Sequence, residues 1–159
     1  MAIGCPSLNS HILHLKRCIA ANYYLPLLQD AVNLVRLHLI DCDTDVPPQI
    51  SIKLARLETL VGVNSYSWEG DASQIFDTFT LPALHTLHIS GELLGTDPIS
   101  SLNLLVARSG CKLQAVLVTG NRSFWQGSFR AAFPSIPNIS FDAQYNWYSE
   151  ERRGTRDAF

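Results

Sequence analysis

Three apolar side chains recur in this chain at a fixed short spacing, and that triplet constrains the fold more than anything else in the sequence. Leu84-His85-Thr86-Leu87-His88-Ile89 carries it most plainly, with aliphatic residues first, fourth and sixth. Leu34-x-x-Leu37-x-Leu39 repeats it in full, and Leu113-x-x-Val116-x-Val118 and Ile136-x-x-Ile139-x-Phe141 repeat it with other apolar residues. Leu57-x-x-Leu60 keeps two places and has Gly62 in the third. Leu8-x-x-His11-x-Leu13 is a weaker first copy whose phase stays open, because Ile12 and Leu15 offer another. Starts at 8, 34, 57, 84, 113 and 136 give spacings of 26, 23, 27, 29 and 23 residues. A unit of this length holds one strand and one return segment, and cannot bury its apolar face without a neighbour.

Pattern and period together are those of a leucine-rich repeat. The expected fold is therefore α/β: a short horseshoe solenoid with parallel strands on the concave face and helices or irregular returns on the convex face. Residues 1–145 would form one domain of about five to six repeats, and 146–159, polar and without apolar periodicity, a mobile tail, with Trp147 and Tyr148 folding back as a partial cap. Cys42 and Asn121 stand where such a repeat places the residue that bonds the turn after the strand. Asp97-Pro98 supplies an N-cap and first-turn proline for a helix with Ile99, Leu102, Leu105 and Val106 on one face and Gly110 as its stop. Further helices are expected around Ile75, Phe76 and Phe79, between Cys18 and Ala31, and between Ser123 and Phe133. Pro47-Pro48 predicts an irregular return. The competing architecture is an ordinary α/β domain, which has no need of the same three apolar places in every strand.

The composition, 47% apolar and 16% charged over 159 residues, describes one folding domain. A net charge of −2 gives no basic footprint, so nucleic acid and anionic membrane are not expected partners. Met1–Ser7 lacks the charged start and apolar core of a secretory signal, and no stretch reaches the roughly 18 apolar residues of a membrane span. A cytoplasmic or nuclear location follows as the expectation. Cys5, Cys18, Cys42 and Cys111 form no C-x-x-C pair and are expected as free thiols. The sequons at Asn121 and Asn138 read as chance matches.

Several segments go further. Leu81-Pro82-Ala83-Leu84-His85-Thr86-Leu87, Asp97-Pro98-Ile99-Ser100-Ser101-Leu102, Ser109-Gly110-Cys111-Lys112-Leu113-Gln114 and Ser128-Phe129-Arg130-Ala131-Ala132-Phe133-Pro134 resemble the leucine-rich-repeat region of F-box proteins from mushroom-forming fungi. The likeness covers about residues 34 to 142. It implies repeats that select the substrate of a ubiquitin ligase. No F-box is expected ahead of the repeats, so a ligase adaptor is implied as a partner only if an F-box is supplied elsewhere.

Side chains alternate across a strand, so the residues between the inward leucines should line the concave face. That lane runs through Arg36, His38 and Ile40; Thr59, Val61 and Val63; Thr86, His88 and Ser90; Ala115, Leu117 and Thr119; and Asn138, Ser140 and Asp142. Mixed apolar and hydrogen-bonding groups of this kind suit a protein or peptide ligand. Chemistry is harder to find. His38 and His88 share a face but stand two strands apart, about 9.6 Å by the standard spacing, too far for easy joint metal ligation. His85 and His88 should point to opposite faces, and His11 and His14 read as surface residues at the first repeat. Asp41-Cys42-Asp43-Thr44-Asp45 imitates a calcium loop, but Val46 and Ile52 stand where its glycine and glutamate belong. No catalytic residue, metal site or cofactor is expected. The reading is a non-catalytic protein-interaction module; a structural remnant without a ligand and an enzyme of unrecognised type are its alternatives.

Overall fold

The computed structural model describes residues 11–18, 21–42, 50–64, 74–120 and 126–142. The weak copy's Leu8, the Pro47-Pro48 return, Asn121, residues 43–45 of the acidic run and the C-terminal tail lie outside them. In chain order the strands are β1 (Ile12–Lys16), β2 (Arg36–Ile40), β3 (Ile52–Lys53), β4 (Thr59–Val63), β5 (Phe79–Thr80), β6 (Thr86–Ser90), β7 (Ala115–Thr119) and β8 (Asn138–Asp142). The helices are α1 (Ala21–Asp30), α2 (Gln74–Thr78), α3 (Pro98–Ser109) and α4 (Gln126–Ala132), with a 3-10 turn at Gly91–Leu94. Six strands form one all-parallel sheet in the order β1-β2-β4-β6-β7-β8, so each new strand is added beside the last. The protein is an α/β fold in which strands and helical returns alternate.

Register is set by the aliphatic triplets. Leu13, Leu37, Leu60, Leu87, Val116 and Ile139 stand side by side across all six strands, and Leu15, Leu39, Gly62, Ile89, Val118 and Phe141 form a second column. A slip of one residue would turn every one of these side chains to the other face. The first residue of each triplet, from Leu34 through Leu57, Leu84 and Leu113 to Ile136, is also buried, below the strand start. All belong to one core with Tyr24, Leu25 and Leu28 of α1, Ile75 and Phe76 of α2, Leu102 and Leu105 of α3 and Phe129 of α4. Each fully buried leucine contributes about 1.5–3 kcal/mol relative to exposure.

The approach to the strands repeats as closely as the strands do. Leu34, Leu57, Leu84 and Ile136 each donate their amide to the carbonyl three residues earlier, on Ala31, Leu54, Leu81 and Phe133. One carbonyl per unit then receives two amides of the next: His11 from Val35 and Arg36, Val35 from Glu58 and Thr59, Glu58 from His85 and Thr86, His85 from Gln114 and Ala115. This recurrence resolves the first strand's phase. Leu13 and Leu15, not His11 and Leu13, are the partners of Leu37 and Leu39, so the first strand lies two residues later than the phase read from Leu8 and stands 24 residues ahead of the second.

Local chemistry accounts for the helices. The Asp97 carboxylate accepts the Ser100 amide at 3.2 Å, Pro98 fills the first turn, and Gly110 ends α3 at φ 65°, a left-handed conformation that costs glycine little. In α1, Ala21, Tyr24, Leu25 and Leu28 are buried at the i, i+3, i+4, i+7 spacing of one helix face. The helix expected around Phe79 is shorter than its apolar face suggests: α2 ends at Thr78, and Phe79 opens β5, which pairs with β3 in a separate two-stranded parallel ladder. Arg108 of α3 closes that end, donating to the carbonyls of Phe76 and Phe79 and lying 3.6 Å from Asp77. Gly62 leaves a gap in the second column that Leu93 fills from the 3-10 turn; a Cβ at Gly62 would lie 3.1 Å from Leu93 Cδ1.

Two outcomes test this packing. Leu87→Ala, at a fully buried position, lowers unfolding free energy in urea by about 2–5 kcal/mol, whereas Leu104→Ala, 58% exposed, changes it by no more than about 0.5 kcal/mol. The second concerns pH. Hydrogen bonds from the Ser100 side chain and amide hold the Asp97 carboxyl below its ordinary value of 3.8. A depressed carboxyl stabilises the fold while ionised, above that ordinary value, and the contribution is lost as pH falls through the lower folded value. Melting curves of wild type and Asp97→Asn therefore differ at neutral pH and converge as pH falls through the lowered value of the folded state.

Candidate functional site

The face of the sheet opposite the leucine columns carries three rows of side chains. Parallel pairing places Ile12, Arg36, Thr59, Thr86, Ala115 and Asn138 in the first. His14, His38, Val61, His88, Leu117 and Ser140 form the middle row, and Lys16, Ile40, Val63, Ser90, Thr119 and Asp142 end the strands. All the residues expected on a lane thus lie on one sheet face. They are not equally available.

Arg36, Asn138 and Ser140 are exposed, and His38, Thr59, Thr86, His88, Ala115 and Leu117 are half-buried. Ile40, Val61, Val63, Ser90 and Thr119 are buried, which corrects their assignment to an open lane. For four of them the reason is position: they end the four inner strands, where the chain turns out of the sheet between neighbours, whereas Lys16 and Asp142, which end the two edge strands, stay exposed. The hydroxyls there serve the backbone: Ser90 Oγ accepts the Asn64 amide at 3.1 Å, and Thr119 Oγ1 donates to the Ile89 carbonyl at 3.4 Å. Asp41 belongs to the same exit turns, with its amide on the Val63 carbonyl at 2.8 Å and a φ of 51°. Val61 has a different reason, being a short side chain in register between the larger His38 and His88. Alternation says which face a residue takes; it does not say what stands beside it.

The accessible surface is consequently a strip of two rows, joined at the two edge strands by exposed Lys16 and Asp142, and it extends one strand further than the lane read from Arg36 onward. His14 is the register partner of His38, and their ring centroids lie 4.3 Å apart at 54°. Exposed Ile12, 43% accessible, stands beside Arg36 in the first row. Both additions depend on the phase of β1, which left His14 classed as an ordinary surface residue. At one end, then, the strip offers two imidazoles, a guanidinium and an aliphatic side chain. Toward the other it offers His88, Leu117 and small polar groups.

His38 and His88 are separated by Val61, as their places in the repeat require. Among the described residues no group of three or more histidine, cysteine, aspartate or glutamate side chains gathers as a metal site. Burial pushes the Cys111 thiol up, and it lies outside the strip. Among the described residues no helix is long and apolar enough to cross a membrane. Set against protein families, curated proteins and solved structures, the chain gives no match. Its class therefore rests on architecture alone: an α/β protein with six parallel strands added in sequence.

Ring contact between His14 and His38 has a direct signature in solution. His14→Ala shifts the His38 ring-proton resonances by removing a neighbouring ring current and leaves those of His88, two strands further on, in place. Equal displacement of both sets, or of neither, contradicts the register at β1.

Proposed function

We propose that the chain is a leucine-rich-repeat solenoid and acts as a non-catalytic scaffold, with the two-row strip as the concave docking surface for a protein or peptide. The observation that carries this reading is repetition in register. Aliphatic columns occupy one face of all six strands, and the same side-chain positions, more polar and partly exposed, line the other. Such a surface presents a rigid backbone and leaves recognition to its side chains.

Chemistry of the strip supports a polypeptide ligand. Half-buried His38, His88 and Leu117 offer flat or apolar contact area in the middle row, while Arg36, Thr59, Thr86 and Asn138 beside them supply hydrogen-bond donors and acceptors. That is an apolar centre with a polar margin, the usual division of a protein interface. By the resemblance to F-box proteins, the ligand would be a protein destined for ubiquitin transfer, with the ligase adaptor engaged through an F-box supplied elsewhere.

The test is affinity capture with wild type beside a His38→Ala, His88→Ala, Leu117→Asp triple variant, each shown to be folded by circular dichroism. A ligand of the strip is recovered by wild type and binds the variant at least about tenfold more weakly, a loss of about 1.4 kcal/mol or more. Equal recovery of every captured protein by both baits removes the strip from the account.

A further inference from the structure

With Leu13 and Leu15 aligned to Leu37 and Leu39, Cys18 takes the place in the first unit that Cys42 takes in the second. Lys16 is the register partner of Ile40, and the Arg17 amide donates to the Ile40 carbonyl at 2.9 Å. Arg17 and Asp41 share a left-handed backbone, at φ 52° and 51°. Two neighbouring strands therefore end in the same turn and deliver a cysteine each to adjacent positions.

The sulfurs follow the backbone. Cys42 reaches across to the first unit, its thiol donating to the Leu15 carbonyl at 3.3 Å, while the Cys18 thiol lies 3.9 Å from the Lys16 carbonyl. Both cysteines are free; Cys42 is buried and Cys18 half-buried. Burial pushes the Cys42 thiol up to about 12, and the Cys18 amide and thiol also act on it as hydrogen-bonding neighbours. Equivalent positions on adjacent parallel strands are about 4.8 Å apart, inside the Cα separation of about 4.4–6.8 Å that a disulfide spans. Closing the bond brings the Cβ atoms to about 3.8 Å.

We propose that Cys18 and Cys42 are a redox modification site, joined by peroxide into a reversible disulfide that ties the first unit of the sheet to the second. Cys18, the more accessible thiol, attacks the peroxide as its thiolate; the O–O bond breaks, leaving a sulfenic acid and, after proton uptake, one water. The Cys42 sulfur then attacks the Cys18 sulfur, the S–O bond breaks, and the Cys42 proton leaves with the hydroxide as a second water. Two thiols and one hydrogen peroxide thus give one disulfide and two waters, the sulfurs supplying both electrons. A small-molecule thiol restores the pair by exchange. Cys111 precedes β7 instead of following a strand, which places it away from this turn and makes it an internal control. The inference does not depend on whether the strip binds a ligand.

The purified full chain is treated with hydrogen peroxide, blocked with N-ethylmaleimide, and mapped by non-reducing peptide mass spectrometry. The expected product is one chain with Cys18 linked to Cys42, a loss of two hydrogens, and two of the four thiols left to react. Linkage persists in Cys111→Ser and disappears in Cys18→Ser, a half-buried position whose fold is checked by circular dichroism. In Cys42→Ser the oxidised Cys18 stops as a sulfenic acid that dimedone captures. Amide exchange in β1 slows by about tenfold or more in the oxidised wild type. Linkage of either cysteine to Cys5, to Cys111 or to a second chain, or Cys18 passing to sulfinic acid with no linked peptide, overturns the proposal.

Discussion

Contact between aliphatic side chains in successive strands is the interaction on which the rest of this structure depends. No strand here is long, each of the six having five residues, and a strand of that length has little stability by itself. What holds it is a leucine, isoleucine or valine with a like side chain on either side and the return helices beneath. Leu37, Leu60, Leu87 and Val116 are each at most 1% exposed, and they come from units separated by 23, 27 and 29 residues. Local propensity alone does not assemble such a column. Burial assembles it, and burial fixes the register at the same time.

Fixed register is also what creates the other face. Once the leucines point down, the residues between them must point up, and parallel pairing sorts them into rows without further instruction. The two outer rows then part ways for a local reason: side chains at strand starts stay accessible, while at the exits of the four inner strands they are buried, with the Ser90 and Thr119 hydroxyls bonding the backbone. A surface made this way is rigid because its support is the core itself. Substitutions in the exposed rows leave the columns untouched.

Much of this was legible in the sequence wherever a side chain's role is set by its own chemistry. The triplets gave away five of the six strands, Asp97, Pro98 and Gly110 marked both ends of α3, and the gap at Gly62 stood in its correct column. The first strand was harder, because Ile12, Leu13 and Leu15 satisfy two phases and only the amides of Val35 and Arg36 on the His11 carbonyl decide between them. That single ambiguity hid the pairing of His14 with His38 and the equivalence of Cys18 with Cys42. The β3–β5 ladder was invisible for a different reason, since two-residue strands carry no period. Burial of Ile40, Val61, Val63, Ser90 and Thr119 was illegible because it depends on neighbours remote in sequence, which alternation cannot report.

The central claim is one of contact, and methyl NOE spectroscopy on leucine- and valine-labelled protein reads contact directly. An unbroken series of cross-peaks from Leu37 to Leu60, from Leu60 to Leu87 and from Leu87 to Val116 is the result this account requires. Spectra in which these four methyl sets report unrelated neighbours would contradict it, and with it the face on which a ligand is placed.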